Sequence, residues 1–375
     1  MARRGHGEGS IYQRRKDGRW TAAITLEDHK RKTFYGKTRR EVQEKLKIVL
    51  REQQQGMLVT GPQQSLKTYL EKWLEQVYRP SVKLGSYRQY RVVVTRHLIP
   101  GLGSVSLQKL TPEKIQDFYA QKLDEGKSPK LVQLIHAVLH QALENAVKWN
   151  LVPRNVAKLV SLPRVERYEA QTLTVEQVKQ LLEVARGSRI EVMIQVALNT
   201  GMRRGELSAL RWDDIDFDNG LIFVRRTVNY VGGYGFVETE PKTRSSRRKI
   251  AVSEKVLEAL KMHREQRGQM RLKAGEKWHE QGLVFCNRYG RYLFPEVVLN
   301  QFHALLAKAG LPKMRFHDLR HTMATVLLES DVHPKKVQER LGHTTIAITM
   351  DTYSHVLPSM HQDVARKLDD VFGDE

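Results

Sequence analysis

Two polar connectors constrain this chain most. Residues 56–65 (GMLVTGPQQS) and 163–169 (PRVERYE) carry no apolar period, and they cut the 375 residues into three stretches with different hydrophobic patterns. That length suits two or three cores, because a single core usually stops growing near ~250–300 residues. The expected fold class is multidomain α+β. A small three-stranded β-sheet with a helix is expected over 1–58, an all-helical bundle over 64–163, and a mainly α domain with a small antiparallel sheet over 170–375.

Hydrophobic content of 40% against 28% charged residues supports packed cores rather than disorder. The net charge is +21, and a surplus this large on a globular chain points to a polyanionic partner, most commonly nucleic acid. Binding to a membrane surface would need a basic amphipathic helix or a lipidation signal, and the sequence offers neither. No apolar run approaches the ~18 residues of a membrane span, and MARRGHGEGS lacks the apolar core of a signal peptide. Cys286 is the one cysteine, so there is no internal disulfide and no thiolate metal cluster. A reducing cytoplasm, with no membrane partner, is the expected setting.

In the first stretch, Ser10-Ile-Tyr and Trp20-Thr-Ala-Ala-Ile-Thr-Leu alternate as strands do. Lys16-Asp-Gly-Arg makes a turn, and Lys32-Thr-Phe-Tyr-Gly belongs to a third strand. A helix over about 39–55 shows Val42, Leu46, Val49 and Leu50 on one face. Arg14, Arg15, Lys16, Arg19, Lys30, Arg31 and Lys32 lie beside Tyr12, Trp20, Phe34 and Tyr35. A sheet of this size fits a DNA major groove; the plainer reading is solvated charge over a small core.

The second stretch is helical. Leu66, Tyr69, Leu70, Trp73, Leu74 and Val77 form an amphipathic stripe. Thr111-Pro112-Glu113 opens a helix with Ile115, Phe118, Tyr119 and Leu123, and Ser128-Pro129 opens one with Val132, Ile135, Leu139, Leu143 and Val147. These residues are expected core. His97, His136 and His140 read as packing or surface residues. Arg79, Lys83, Arg88, Arg91, Arg96, Lys127 and Lys130 are available to a DNA backbone.

In the third stretch, helices are expected near 174–186, 189–199 and 203–210, then one antiparallel sheet from 221–229, 235–239 and 247–252. Helices follow near 254–273, 295–309, 317–329, 334–341 and 344–352. A last amphipathic helix over 358–372 carries Met360, Val364, Leu368 and Val371.

This stretch holds the chemistry. No Walker loop, dinucleotide fingerprint or His-Glu-x-x-His is present. Arg315 and Arg320 stand among His317, Asp318 and His321, and cations do not favour a metal dication there, so no cofactor or metal is expected. Thr200-Gly-Met-Arg203-Arg-Gly-Glu206-Leu starts a helix after a glycine, where an arginine suits a phosphate. Lys242 stands in Pro-Lys-Thr-Arg-Ser-Ser-Arg-Arg, expected as a hairpin turn. His317 and Arg320 share a helix face, His343 follows Leu-Gly, and Tyr353 comes ten residues later. Guanidiniums can hold the non-bridging oxygens of a phosphoryl transition state in place of a metal. A phenol with a pKa of roughly 10 needs a base and cationic surroundings to attack, and a lysine can protonate the leaving oxygen. The ordered set fits phosphodiester transfer through a phosphotyrosine.

In Thr-Gly-x-Arg-x-x-Glu-Leu, the hairpin lysine, His-x-x-Arg, Leu-Gly-His and the following tyrosine, the chain resembles the tyrosine recombinase, or phage integrase, family. The resemblance implies a site-specific DNA recombinase that integrates and excises a phage or mobile element through a covalent 3′-phosphotyrosine, without metal or ATP. It implies that Arg203 and Arg320 clamp the phosphate, Lys242 is the acid, His317 exchanges a proton, His343 holds an oxygen and Tyr353 is the nucleophile. Glu206 would be structural, orienting a neighbouring arginine. Residues 1–58 look like an arm-type DNA-binding module, with Arg14, Arg15, Lys16, Arg19, Lys30 and Lys32 as contacts. Residues 64–163 look like a core-binding bundle, with Arg88, Arg91 and Lys130 as contacts. The implied partners are double-stranded DNA with core-type and arm-type sites, three further copies in a tetramer joined through the last helix, a directionality factor and a host DNA-bending protein. The implied setting is the cytoplasm of a bacterial host. Three other readings stay open at this point: a type IB topoisomerase, a DNA-bending regulator and a metal nuclease.

Overall fold

The computed structural model describes residues 9–14, 17–25, 31–54, 63–166, 170–240, 247–353, 368–369 and 372. The chain divides into two compact units, 1–166 and 167–375. The boundary falls in the second polar connector.

The first unit begins with three antiparallel strands in the order β1 (Ser10–Gln13), β2 (Trp20–Thr25) and β3 (Arg31–Gly36). Ala22 pairs with Ile11 on one side and Phe34 on the other. Helix α1 (Arg39–Gln54) covers the sheet, burying Val42, Leu46 and Val49 against Ala22 and Ile24. This is the face the spacing of the sequence predicts.

A second core in this unit lies among helices. The helices are α2 (Leu66–Trp73), α3 (Arg79–Ser81), α4 (Leu84–Val93), α5 (Ile99–Leu102), α6 (Pro112–Asp124) and α7 (Pro129–Lys148). Ser65, Thr111 and Ser128 cap their helices by accepting backbone N–H bonds from Thr68, Lys114 and Leu131. The turns Leu74–Tyr78 and Val94–Leu98 widen to π-type spacing, just before Pro80 and Pro100. A proline offers no N–H to the preceding turn and crowds its carbonyl, so the helix accommodates it by widening. Leu66, Tyr69, Leu70, Trp73 and Leu74 are buried, as are Ile115, Phe118, Tyr119, Val132, Ile135, Leu139 and Leu143. Leu123, expected in the core, is instead exposed beyond the buried Phe118 and Tyr119 of α6.

The second unit carries helices α8 (Val175–Ala185), α9 (Glu191–Thr200), α10 (Arg204–Ser208), α11 (Glu254–Ala274), α12 (Pro295–Lys308), α13 (Asp318–Glu329), α14 (Pro334–Leu341) and α15 (Ile346–Tyr353). Its strands are β4 (Ile215–Asp216), β5 (Leu221–Val224), β6 (Thr227–Val231), β7 (Gly235–Thr239) and β8 (Arg248–Ala251). They form two sheets, β4-β5-β8 and the hairpin β6-β7, not the single sheet expected. The expected strand 221–229 breaks at Arg225-Arg226. Both guanidiniums turn to the buried Asp214 carboxylate, at 3.5 and 3.1 Å, and the chain leaves the first sheet there. Strands β7 and β8 belong to different sheets, and residues 241–246 between them, where Lys242 is expected in a hairpin turn, lie outside the described residues. Helix α13 packs on α9 and α14, and α14 packs on β8 and α15. The expected last helix over 358–372 lies outside the described residues except at Leu368, Asp369 and Phe372, where Leu368 and Phe372 are exposed.

Candidate active site

Glycine at 201 lets two helices meet. Helix α9 ends at Gly201 with φ of 63°, in the left-handed region that favours glycine, and α10 begins three residues later with Arg203 at its N-cap. A Cβ at 201 would lie 2.1 Å from Met323 Cε and 3.0 Å from Leu341 Cδ2. Gly201→Ala is therefore expected to cost about 1–3 kcal/mol from backbone strain and overpacking. Thermal unfolding checks it; an unchanged midpoint would contradict this packing.

Arg320 is buried just beneath that turn. Its Nη1 donates to the Gly201 carbonyl at 2.6 Å and its Nη2 to the Leu341 carbonyl at 2.6 Å. The guanidinium thus joins the end of α9 to the end of α14. Arg203 is more open, with its side chain 40% exposed. Its Nη1 donates to Glu206 Oε1 at 2.9 Å, and its backbone N–H donates to Glu206 Oε2 at 2.9 Å. Glu206 is buried; despite that burial, Arg248 and Arg203 hold its carboxyl below the usual range. The sequence reading of Glu206 as an arginine-orienting residue matches this arrangement.

His317 stands immediately before α13, at its N-cap position but without a capping side-chain bond, and its ring meets His321 edge-on, with centroids 5.5 Å apart. Loss of solvent around the ring pushes its pKa down to about 4, assisted by the charges of Arg320, His321 and Arg203. His343 follows Gly342, the left-handed end of α14. Its pKa is also pushed down to about 4, first by burial and then by Arg320 and Arg203. Its Nδ1 lies 2.9 Å from the Thr349 hydroxyl. Gln338 secures the backbone there, donating from Nε2 to the His343 carbonyl at 2.8 Å. Arg203, His317, Arg320 and His343 thus come from three segments, the start of α10, the start of α13 and the end of α14, and share one electrostatic neighbourhood.

Both rings are neutral at pH 7, as is the buried His263, whose pKa also falls to about 4. Between pH 6.5 and 4 the unfolded chain binds more protons at these rings than the folded one, so stability falls as pH falls. The unfolding midpoint should drop progressively from pH 7 to pH 4; a flat profile would contradict the shielding of these rings.

Tyr353 is the last residue of α15, and its side chain lies outside the described residues. Lys242 also lies outside them, in the connection from β7 to β8. Of the expected DNA contacts, Arg14, Arg19, Arg88, Arg91 and Lys130 are exposed. Arg14 stacks 5.6 Å from the Tyr35 ring and pairs with Asp17 at 3.5 Å. Arg15, Lys16 and Lys30 lie outside the described residues; Lys32 is on β3, with its side chain outside them. Sequence reading missed Thr349, Arg248 and Arg340 as site neighbours. Arg248 did carry a signal, as the last arginine of Ser-Ser-Arg-Arg.

Among the described residues, no group of three or more His, Cys, Asp or Glu side chains gathers to hold a metal ion. No helix among them is long and apolar enough to cross a membrane.

Residues 171–360 match the family model described as phage integrase family. Residues 65–123 match that of the phage integrase N-terminal SAM-like domain. A tyrosine recombinase XerC-like protein of Caldanaerobacter subterraneus subsp. tengcongensis is 30% identical over 361 residues, covering 91% of this chain and 92% of the relative. An integrase of Streptomyces ambofaciens is 30% identical over 393 residues, covering 99% and 98%. In fold, the chain resembles the Tn1549 transposon integrase solved with transposon right end DNA. That likeness has a TM-score of 0.69 and 23% identity, over 83% of this chain and 100% of that one. It also resembles a lambda integrase tetramer bound to a Holliday junction, with a TM-score of 0.59 and 18% identity, over 94% and 96%.

Proposed function

Because the chain belongs to the phage integrase family, and is a site-specific tyrosine recombinase that cuts and rejoins DNA strands of mobile elements, we propose how its own residues divide that work. Tyr353 is the nucleophile. His317, neutral at pH 7, takes the phenol proton. The phenolic oxygen bonds to phosphorus as the bond to the 5′ oxygen breaks, and Lys242 gives that oxygen its proton. The 3′-phosphotyrosyl ester keeps the energy of the broken bond, so a 5′ hydroxyl from the partner strand reverses the step without ATP. Arg203 and Arg320 hold the non-bridging oxygens as charge grows on them. His343 donates from Nε2 to one of them, with the Thr349 hydroxyl donating to Nδ1.

The observation that carries this reading is the convergence of two arginines on two histidines kept neutral by burial and by those same arginines. Such a site attracts a phosphate and offers it both a proton acceptor and proton donors.

The wider reading follows from charge and topology. Residues 1–58 form the arm-binding domain, contacting DNA through Arg14, Arg15, Lys16, Arg19, Lys30 and Lys32. Residues 64–163 form the core-binding domain, with Arg88, Arg91 and Lys130 on the backbone, and 170–375 form the catalytic domain. Four copies assemble on DNA through the C-terminal segment, in the cytoplasm of a bacterial host. A directionality factor and a host bending protein set the outcome.

The test uses nicked duplexes of random sequence. Capture of one defined sequence, with a free 5′ hydroxyl released and no loss of rate in EDTA, is expected. Cleavage that leaves no protein on the DNA, or that stops in EDTA, would overturn the assignment. Capture and supercoil relaxation without sequence preference would favour a topoisomerase.

A further inference from the structure

Beside the groups assigned above, one further arginine is buried within the same network. Arg248 opens β8 with its side chain 6% exposed. Its Nη2 donates to Glu206 Oε2 at 3.0 Å, and its Nη1 approaches Glu206 Oε1 at 3.4 Å. Its Nε donates to the Arg340 carbonyl at 2.7 Å. Glu206 is therefore shared between two guanidiniums, the open one of Arg203 and the buried one of Arg248. Arg340 answers in the other direction, donating from Nη2 to the Asn199 carbonyl at 2.6 Å and to the Ala251 carbonyl at 3.0 Å. The end of α14, the end of α9 and strand β8 are thus tied by paired cations.

A buried ion pair of this kind adds little net stability, because desolvation offsets the attraction, but removing one partner is costly. Its geometric effect is larger. A carboxylate facing a single guanidinium favours the two-pronged pairing of both its oxygens. Glu206 Oε2 accepts from Arg248 Nη2 and from the Arg203 backbone N–H, while the Arg203 guanidinium contacts Oε1 alone, through Nη1. With Oε2 taken, the two-pronged pairing is closed to the Arg203 side chain. The Arg340 carbonyl, held by the same guanidinium, stands three residues before His343.

We propose that Arg248 is a positioning residue for strand cleavage: by sharing Glu206 with Arg203 and holding the Arg340 carbonyl, it fixes the spacing of Arg203 and His343 across the scissile phosphate. The inference rests on the assignment of those two residues to the phosphate.

The experiment compares single-turnover covalent capture, DNA affinity and thermal unfolding of the full chain. The probe is the duplex that the parent chain selects from a nicked random-sequence library. Arg248→Gln is expected to slow capture by roughly 10²-fold, the scale of misplacing one transition-state donor, with DNA affinity within about threefold of the parent, since the side chain is buried and its described bonds are all internal. Arg248→Lys, whose ammonium is a point charge and does not match the fork, recovers part of that rate. Combined with Arg203→Ala, Arg248→Gln is expected to add less than its own full loss, because part of its effect passes through Arg203 and only the His343 side remains. An unchanged capture rate in Arg248→Gln, or losses that multiply in the double variant, would overturn the proposal. If Arg248→Gln does not fold, Arg248→Lys alone and with Arg203→Ala carries the same comparison. Failure of the parent chain to capture DNA strikes the phosphate assignment and this inference together. Normal capture by the parent and by every Arg248 variant strikes this inference alone.

Discussion

Tyr353→Phe abolishes covalent strand capture and leaves DNA affinity within about threefold of the parent chain. The substitution removes one oxygen and nothing else, so the helix ending at residue 353 keeps its length and its apolar ring. Affinity for DNA comes mainly from cations on the phosphate backbone, which the substitution does not touch. The chemistry, in contrast, has no second phenol at that place in the motif. Capture on denaturing gels and binding by gel shift measure the two properties separately. Retained capture would move the nucleophile elsewhere, and lost binding would mean that the hydroxyl also holds the DNA.

Arg320→Ala has the second-largest expected effect, and it acts twice. Loss of one donor to the transition state slows cleavage by roughly 10²–10³. The same side chain also satisfies the carbonyls of Gly201 and Leu341, each at 2.6 Å. Leaving a buried carbonyl unpaired costs about 1–3 kcal/mol, so the unfolding midpoint drops as well. Arg203→Ala separates the two contributions, because Arg203 is open and bonds to no distant carbonyl in the hydrogen bonds described above. It should match the loss in cleavage with a smaller loss of stability. A large fall in stability with normal cleavage in Arg320→Ala would show that this arginine is structural.

Local features of the fold were legible because short-range periodicity encodes them. The face of α1, the capped openings of α6 and α7 and the stripe of α2 follow from spacing and caps alone. The split of the β-region was not legible. It depends on Asp214, a buried carboxylate reached by Arg225 and Arg226 across about a dozen residues, and no period-2 pattern carries that pairing. The two π-type turns were also unread, although Pro80 and Pro100 mark them.

The site divides in the same way. Arg203, His317, Arg320 and His343 stand in short motifs whose residue types suggest a phosphate, and they share one neighbourhood. The residues behind them were hidden because their partners are distant in sequence. Arg248 reaches Glu206 and Arg340, and Arg340 reaches Asn199 and Ala251. Arg248 stands at the end of Ser-Ser-Arg-Arg, but Arg340, a lone arginine in a basic chain with a net charge of +21, gives no hint of such contacts.

Mapping the covalent adduct by mass spectrometry tests the central claim most directly. The full chain is incubated with the nicked duplex library, digested with nuclease and protease, and the modified peptide is sequenced. A nucleotide joined through its 3′ phosphate to Tyr353 is the expected result. An adduct on another residue, or strand cleavage with no adduct on the protein, would contradict the account.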